Sequence, residues 1–510
     1  MKLDFAKNVK RNMIANAASS GIRLLFPFLN RTLFLWLLGP AYLGLNGLFG
    51  SILGVLSLAE LGFGTAVVCF MYKPVAEDDR ELLCAYLGFY RTVYRWVGAA
   101  IFVIGLALLP FLDRLVHGDV PPGIDLHVLY LIHLVNTSVS YFLFAYRGSV
   151  LTAHHRKDVV TNIRTALSVA QYLAVFLILL VTRNYYHYVL ATVVFTVLQN
   201  VLLVRASRRL FPDVEPRGRL SAELRRRVVS EVKAIFMHKV GGVISYSVDN
   251  LIISAMLGLV AVAAYGNYYY VVSSVASIVA AVHSSTQGGF GNKIHTESKA
   301  DNFRLFMATD RLTMVLVVWC AAMMAALYQP FVAVWTKNDP SLVRHALTPF
   351  LMVVYFCVNQ SRQPLLTFKA AASIWRQDRW KPVVAGVANL MLNISFVVFF
   401  PEPYKLDGVI LSTILSYVIV QMPWESRVVF TEFFGRDEAR AYWRSHARFA
   451  AVAVALCAVA WLAARAVPQG GPAGLAAKGV AAAVASGVVV LAMFRRDVAA
   501  IFRVARGRRV

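Results

Sequence analysis

Apolar runs of about 20 residues recur along almost the whole chain, each separated from the next by a short polar segment. Runs of this length match the hydrocarbon thickness of a bilayer, in which a helix satisfies all of its backbone polar groups internally. Of the 510 residues, 58% are hydrophobic and only 15% are charged, which is too little charge for a soluble chain of this size. The sequence therefore predicts an all-α, polytopic membrane protein.

The apolar runs predict about 14 transmembrane helices, in two sets of six with two more at the end. The first six spans are expected near residues 13–38, 42–70, 86–112, 126–152, 160–182 and 185–205. The next six are expected near 235–258, 262–290, 305–335, 345–369, 381–400 and 406–430, and the last two near 447–467 and 473–494. This division predicts an N-lobe at 1–205, a cytoplasmic basic linker at 206–233, a C-lobe at 234–432, and two additional helices with a basic tail at 433–510.

The linker is the longest non-apolar interval of the chain and is rich in arginine. Its second part predicts a helix at the water–membrane boundary, with Ser221 as the N-cap and Arg225–Arg227 on the polar face. The apolar residues that recur at helical spacing opposite these arginines are Leu224, Val228, Val232 and Ile235. This helix is one of two interpretations, and the favoured one is an ordinary cytosolic loop whose arginines only reflect membrane topology.

The net charge of +24 at pH 7 is distributed over loops on alternate sides of the apolar runs. This distribution follows the positive-inside rule, which places both termini in the cytoplasm and argues against nucleic acid as a partner. Met1–Arg11 is basic, but no small-residue cleavage site follows a short apolar stretch, so no cleavable signal peptide is expected. The five cysteines are scattered and predict neither a disulfide framework nor a metal site.

A weak internal repeat relates the two halves. Leu38-Gly39 ends span one and is followed at once by a span that begins with Tyr42 and Gly44-Leu45-Asn46-Gly47. Leu257-Gly258 ends span seven and is followed at once by Tyr265-Gly266-Asn267. Six spans per half give both repeats the same orientation, which predicts a pseudo-two-fold axis along the membrane normal. This is a transporter plan, with the substrate site near the bilayer midplane.

Spans one and seven carry polar residues where charges are costly. Arg23 and Arg31 belong to a polar stripe on span one, and Lys239, Asp249 and Asn250 share a face of span seven. The functional interpretation of span one is the wall of a cationic cavity. The alternatives are that Arg23 pairs with an acid on a neighbouring helix and that Arg31 extends to the outer interface. Asp249 either holds a sodium ion or a proton or is a fixed counter-ion for an arginine.

Further candidates lie in spans two and ten. Glu60 is expected to be a counter-ion in helix packing rather than an ion-coupling group. Asn359, Arg362 and Lys369 share a side of span ten. The inward charges are mostly positive, which favours an anionic substrate, and arginine forks suit phosphate in particular. Four arginines that positive-inside topology explains lie near the cytoplasmic ends of spans three to five: Arg91, Arg95, Arg147 and Arg164.

Two long motifs and one residue pair carry a family resemblance. The first motif is Gly44-Leu45-Asn46-Gly47-Leu48-Phe49 with Ser57-Leu58-Ala59-Glu60-Leu61-Gly62-Phe63-Gly64. The second is Arg362-Gln363-Pro364, Phe368-Lys369, Trp375-Arg376-Gln377-Asp378-Arg379-Trp380-Lys381-Pro382 and Asn389-Leu390, and the pair is Asp249-Asn250. They resemble the second helix, the tenth to eleventh helices and span seven of bacterial polysaccharide flippases. These flippases form the polysaccharide transporter branch of the multidrug/oligosaccharidyl-lipid/polysaccharide exporter superfamily.

The resemblance implies two six-helix lobes in a V-shaped arrangement plus two extra C-terminal helices, in the bacterial inner membrane. It implies that the protein flips an undecaprenyl-diphosphate-linked oligosaccharide repeat unit from the inner to the outer leaflet by alternating access. Its implied partners are this anionic lipid-linked sugar, the bilayer and a polysaccharide polymerase. Carried over residue by residue, Arg23, Lys239 and Arg362 would hold the anionic substrate, and Asp249 would couple an ion. The last two spans match no motif of the family and are expected to be peripheral.

The candidate substrate contacts are Arg23, Arg31, Lys239, Asn359, Arg362 and Lys369, and the candidates for ion-coupling or counter-ion roles are Asp249, Asn250 and Glu60. No P-loop, nucleotide fingerprint, zinc spacing or nucleophile elbow stands out, so we expect no enzyme and no cofactor beyond Na⁺ or H⁺ coupling. The alternatives are a multidrug or peptidoglycan-precursor exporter of the same fold. A membrane polymerase or ligase of lipid-linked sugars is disfavoured, because such enzymes use a long outer loop and the outer loops here are short.

Overall fold

The computed structural model of the protein describes residues 25–60, 63–118, 120–143, 145–372, 374, 376–468 and 470–505. Several helical stretches are described for their backbone only, among them 237–246, 281–293 and 495–505. The described part of the chain consists of helices joined by turns and loops, and no strand occurs there. The predicted all-α, polytopic architecture is therefore confirmed.

Eighteen α-helices follow one another along the described chain. Those of the first half are α1 Leu25–Leu38, α2 Pro40–Leu56, α3 Phe63–Ala76, α4 Arg80–Ala107, α5 Leu126–Phe142, α6 Gly148–Ala153, α7 Lys157–Thr182 and α8 Tyr185–Leu210. Those of the second half are α9 Ala222–Leu257, α10 Leu259–Thr296, α11 Lys299–Trp335, α12 Leu347–Ser361, α13 Gln363–Ala371, α14 Lys381–Phe399, α15 Lys405–Leu415, α16 Met422–Glu432, α17 Arg436–Arg465 and α18 Gly471–Ala505.

Seven helical stretches of the described chain are long and apolar enough to cross a membrane, and one of them, Glu402–Glu432, joins α15 and α16 through a π-helical segment. The number is eight if α4 and the 3₁₀ segment Leu109–Leu115, which meet at a bend of 60°, form one span. Within the described residues, which include span one only from Leu25, each predicted span overlaps one helix or two consecutive helices, but the predicted total of about 14 spans stays a prediction.

Besides the span that bends after α4, irregular backbone interrupts four more predicted spans. A 3₁₀ turn at Ser57–Glu60 separates α2 from α3, and another at Ala145–Arg147 separates α5 from α6. Arg362 separates α12 from α13, and the π-helical segment Ser416–Gln421 joins α15 to α16. Broken backbone at membrane depth is tolerated where protein groups or water satisfy the freed polar atoms, and π segments are frequent at functional sites. Functional side chains are therefore expected near these breaks.

By internal contacts the chain forms two compact units, Met1–Ala263 (unit 1) and Ala264–Val510 (unit 2). In unit 1, α9 packs along α2, and a Cβ added to Gly44 would lie 1.8 Å from the main-chain oxygen of Leu259. Only glycine allows the backbones of α2 and α10 to approach so closely. The predicted division into two lobes, a linker and two extra helices follows membrane topology rather than contact density, and it stays a prediction.

The segment between α8 and α9 is docked on unit 1. The ring of Phe211 stacks on His154 with centroids 3.9 Å apart, and Arg80 Nη1 donates to Asp213 Oδ2 at 3.1 Å. Ser221 Oγ then accepts a hydrogen bond from the Leu224 amide at 3.2 Å, which confirms the predicted N-cap. A helix therefore forms where an ordinary loop was the favoured interpretation, and it continues without a break into span seven.

The last two helices pack along α11 in unit 2. Small residues line this contact and let the backbones approach: Ala322, Ala326, Ala460, Ala464 and Ala482. On the other face of α18, Val480, Val484, Val488 and Leu491 are exposed at helical spacing, as expected for a surface that meets lipid. The same packing brings the N-terminal part of α17 against an aromatic cluster of Phe306, Phe368, Phe430, Phe434 and Tyr442.

Candidate functional site

Five buried ionisable side chains meet in unit 2, and we call them the charged cluster: Arg362, Lys369, Asp378, Lys381 and Glu425. Arg362 lies at the break between α12 and α13, and Glu425 lies in the first turn of α16, just after the π-helical segment. Arg362 Nε donates to Glu425 Oε2 at 2.9 Å, and Arg362 Nη2 donates to Oε1 at 2.6 Å. This bidentate pair joins the two broken spans.

The π-helical segment supplies two more contacts to Arg362. Its Nη2 donates to Gln421 Oε1 at 2.7 Å, and its guanidinium lies over the Tyr417 ring, 4.4 Å from the centroid. A regular α-helix would rotate these side chains away from their present positions, because a π turn inserts an extra residue. The irregular backbone is therefore what lets α15–α16 surround the guanidinium.

The remaining members extend the cluster toward the loop before α14. Lys369 donates to Asp378, and Lys381 Nζ lies 2.6 Å from Glu425 Oε1 and 3.5 Å from Asp378 Oδ2. All five side chains are buried, with exposures from 0% at Asp378 and Glu425 to 8% at Lys381. Three basic and two acidic groups leave one surplus positive charge when all are ionised. Such a network is held by mutual pairing, because each charge alone would be costly to bury.

This pairing bears directly on two predicted substrate contacts. Arg362 and Lys369 are paired with carboxylates in this structure, so an anion would compete with Glu425 and Asp378 for them. Asn359 is half-buried one turn before the break, and its main-chain oxygen accepts a hydrogen bond from Gln363 Nε2 at 3.3 Å. The structure thus brings the three predicted residues of span ten to one end of unit 2, together with acids that motif matching did not assign.

The predicted candidates of span one lie on either side of Leu25, the first described residue. Arg23 lies outside the described residues. Arg31 is half-buried on α1, and the preceding Asn30 donates through Nδ2 to the hydroxyl of Tyr188 at 2.9 Å. The hydrogen bond ties α1 to α8. The structure therefore places Arg31 beside the contact between α1 and α8, and the role of Arg23 stays a prediction.

The predicted candidates of span seven lie on α9. Lys239 belongs to the part of α9 described for its backbone only. Asp249 and Asn250 are each 1% exposed, and Asn250 Nδ2 donates to Ser51 Oγ on α2 at 2.8 Å. The pair is therefore a buried polar contact within unit 1, where α9 packs on α2.

Glu60 lies at the end of the 3₁₀ turn that breaks span two. The hydroxyls of Tyr94 and Tyr141 donate to its two carboxylate oxygens, one from α4 and one from α5. A carboxylate that gathers donors from two neighbouring helices holds a helix break in place. This arrangement favours a packing role for Glu60, although its partners among the described residues are tyrosine hydroxyls rather than the cation that a counter-ion would pair with, and the role stays a prediction.

Arg147 was attributed to positive-inside topology, and the structure corrects this interpretation. Its side chain is 1% exposed, so it does not lie in a solvated loop. Nη1 donates to the main-chain oxygen of Val214 at 2.8 Å, and Nη2 pairs with Glu215. Arg147 therefore anchors the segment after α8 to the break between α5 and α6. A long-range contact of this kind leaves no local sequence pattern.

Sequence reasoning also missed the acids of the charged cluster. Glu425 falls within the predicted span 406–430, and a carboxylate in an apolar run is a pattern that could have identified it. Asp378 falls within the long motif but was not assigned a role. Both became visible only when the structure placed them against Arg362 and Lys369.

Comparison with known proteins decides the family. Residues 9–286, more than half of the chain, match the family model described as polysaccharide biosynthesis protein. The chain belongs to this family. The expected resemblance to polysaccharide flippases is thereby confirmed, and a search of curated proteins finds no significant match.

Solved structures show the same fold at low sequence identity. The lipid II flippase MurJ in an inward closed conformation is 12% identical, with a TM-score of 0.67, and the match covers 96% of this chain and 99% of that one. An inward-facing multidrug resistance transporter of the MATE family, in the MOP superfamily, is 13% identical, with a TM-score of 0.64 over 82% of this chain and 98% of that one. This polysaccharide biosynthesis family member is therefore a multi-pass membrane protein with the fold that these flippase and exporter structures share.

Proposed function

We propose that the protein flips an undecaprenyl-diphosphate-linked oligosaccharide repeat unit from the inner to the outer leaflet, for the synthesis of a surface polysaccharide. The observation that carries this proposal is the family match, since it ties an exporter-type fold to polysaccharide biosynthesis. The surplus of basic residues on the polar faces of the spans supports an anionic substrate. We place the protein in the bacterial inner membrane with both termini in the cytoplasm, as the loop charges favour.

In this proposal Arg23, Arg31 and Lys239 are the basic residues that meet the diphosphate, with Asn359 as a polar contact. Arg362 and Lys369 are held by Glu425 and Asp378, and this supports a role in which they stabilise unit 2. They bind the substrate only in a state in which the carboxylates release them. Alternating access gives such a cycle two end states, and a substrate shifts their populations by its differential affinity.

Coupling to Na⁺ or H⁺ is proposed at Asp249 with Asn250. Both side chains are buried at the contact between α9 and α2, where gain or loss of a cation changes the packing of two helices. The hydrogen bonds that Glu60 accepts from two tyrosines support a structural role for this residue instead.

The test is a deletion strain in which lipid-linked sugars are extracted and assigned to a leaflet. We expect full-length repeat units stranded on the inner leaflet, together with loss of the surface polymer. Unpolymerised units on the outer leaflet would contradict the proposal and indicate a polymerase or ligase. Unchanged lipids would favour the drug exporter.

Complementation of the same strain tests the residues. R23Q and K239Q are expected to accumulate normally in the membrane but to restore no export, because each removes a positive charge that meets the diphosphate. K299Q is the matched control, since Lys299 is an exposed residue at the start of α11. Normal export by both R23Q and K239Q would overturn the assignment of these residues.

A peptidoglycan-precursor flippase is the second candidate. The observation that favours it is the likeness to MurJ, which extends over 96% of this chain. The deletion experiment distinguishes the two candidates, because this second activity would strand lipid II rather than the repeat unit of a surface polysaccharide.

A further inference from the structure

A buried carboxylate lies on α11 outside the charged cluster. Asp310 is 0% exposed, and neither of its side-chain oxygens receives a hydrogen bond from a described residue. His446 of α17 faces it, with Nε2 3.8 Å from Oδ1 and a side chain that is only 8% exposed. A buried carboxylate that accepts no hydrogen bond is unfavourable when ionised, so this site requires a proton or a cationic partner.

The hydrogen bonds of His446 show where the proton belongs. Nδ1 lies 3.2 Å from the main-chain oxygen of Tyr442, and Nε2 lies 3.5 Å from that of Ser361. Both ring nitrogens therefore face acceptors, although a neutral imidazole carries only one N–H. If Nδ1 donates to Tyr442, the lone pair of Nε2 faces the Asp310 carboxylate. This contact is repulsive unless one proton lies between them, on Nε2 or on the carboxyl group.

We propose that Asp310 and His446 form a proton-binding site that is separate from Asp249. Uptake transfers one proton from hydronium to the pair and leaves water, and release reverses this transfer. With one proton the pair is neutral overall and holds α17 against α11. Without it the buried carboxylate carries an uncompensated charge, which favours a conformation in which the contact between α11 and α17 opens to water.

The surroundings fit a proton better than a metal cation. A hard cation needs about six oxygen ligands, but the nearby hydroxyls of Thr309 and Thr313 already donate to main-chain oxygens within α11. Phe306 and the other members of the aromatic cluster occupy the adjoining space. Among the described residues no group of three or more His, Cys, Asp or Glu could hold a metal ion.

Four other ionisable groups lie near the pair of Asp310 and His446. Arg311 follows Asp310 on α11 and is exposed, and Tyr442 stacks beside His446 with ring centroids 4.0 Å apart. Arg362 and Glu425 lie beyond Ser361 and are paired with each other. The main-chain oxygen of Ser361 faces His446, and Ser361 directly precedes Arg362. Proton release at the pair therefore changes a contact of the break between α12 and α13. A role in a transport cycle rests on the proposed function, whereas the proton site itself does not.

The site is tested on the purified full-length protein in detergent, without substrate. Trp443 lies beside His446, with ring centroids 6.2 Å apart, so its fluorescence reports imidazolium formation by quenching. Subtraction of the W443F signal isolates this tryptophan from the others. In D310N the quenching midpoint is expected to fall by about one pH unit or more, a tenfold loss of proton affinity, because the imidazolium loses its anionic partner.

Infrared difference spectra between acidic and alkaline buffer give a second readout. The carbonyl band of a protonated carboxylic acid is expected to be lost in D310N and to persist to higher pH in H446Q. The control is D301N, which removes an exposed carboxylate from the same helix. H446Q also keeps the test informative if D310N fails to fold.

Two results would overturn the proposal. The first is a midpoint and a band that are the same in the wild type, D310N and H446Q. The second is a midpoint that moves when sodium replaces choline, which would make the pair a metal-cation site. If the titration behaves as expected but the deletion strain flips its lipids normally, the proton site stands and the proposed function fails.

Discussion

Arg147 and Arg362 occupy corresponding places in the two halves of the chain. Each is a buried arginine at the break of the fourth helical segment of its half, just before a short helix. Each donates to a carboxylate at the sixth segment, since Glu215 follows α8 and Glu425 lies in α16. This correspondence supports the internal repeat that the sequence predicts, and it extends the repeat to an arginine–glutamate pair in each half.

R362Q is expected to destabilise the protein by about 3–5 kcal/mol, because it leaves Glu425 buried with Lys381 as its remaining basic partner. The measurement is the apparent melting temperature in detergent. R440Q is the matched control, since Arg440 is an exposed arginine on α17 in a surface ion pair and should change the melting temperature little.

The double variant R362Q/E425Q distinguishes the stability that comes from the ion pair from the effect of each substitution alone. If the two charges stabilise each other, the double variant loses less stability than the sum of the two single variants. Additive losses would show that Arg362 and Glu425 act independently, contrary to the geometry of the bidentate pair.

R147A is expected to release the segment after α8 from unit 1. Each charged hydrogen bond contributes about 1.5–3 kcal/mol, so trypsin cleavage at Arg217 and Arg219 should accelerate tenfold or more. R209A removes an exposed arginine from the last turn of α8 and should leave these two cleavage rates unchanged. Equal rates in R147A and the wild type would contradict the anchoring role of Arg147.

G44A is expected to disrupt the contact between α2 and α10. The added Cβ would lie 1.8 Å from the main-chain oxygen of Leu259, and relief by backbone shifts costs about 1–3 kcal/mol or more. G50A on the same helix has no atom within 4 Å of the added Cβ. It should leave the apparent melting temperature unchanged or raise it slightly, so a fall as large as that of G44A would refute the steric explanation.

E60Q distinguishes the two interpretations of Glu60. A packing role predicts a loss of about 1–2 kcal/mol in stability, because hydrogen bonds from Tyr94 and Tyr141 then reach a neutral amide with one acceptor oxygen. Transport should keep its dependence on the ion gradient. Stable protein with uncoupled transport would instead assign Glu60 to ion coupling.

The features that the sequence predicts correctly depend on local patterns. Apolar runs of bilayer length identify membrane helices because the requirement for internal backbone hydrogen bonding acts within each segment. The serine at 221 could be identified as an N-cap because its hydroxyl bonds to an amide only three residues away. The motif at 44–64 and the pair Asp249-Asn250 are also local, and both lie within the residues that the family model matches, whereas the motif at 362–390 lies outside them.

Only the tertiary structure decided which charges are paired. Glu425 lies 63 residues after Arg362, and Glu215 lies 68 residues after Arg147, so no spacing rule connects the partners. A lone arginine in an apolar span is compatible with a substrate contact, an ion pair or a position at the interface, and the choice depends on what the neighbouring helices present. The sequence by itself determined the membrane fold and the family, because both are set by local hydrophobicity and contiguous motifs. The partners of the buried charges were decided by helix packing, because burial makes each charge depend on groups distant in the chain.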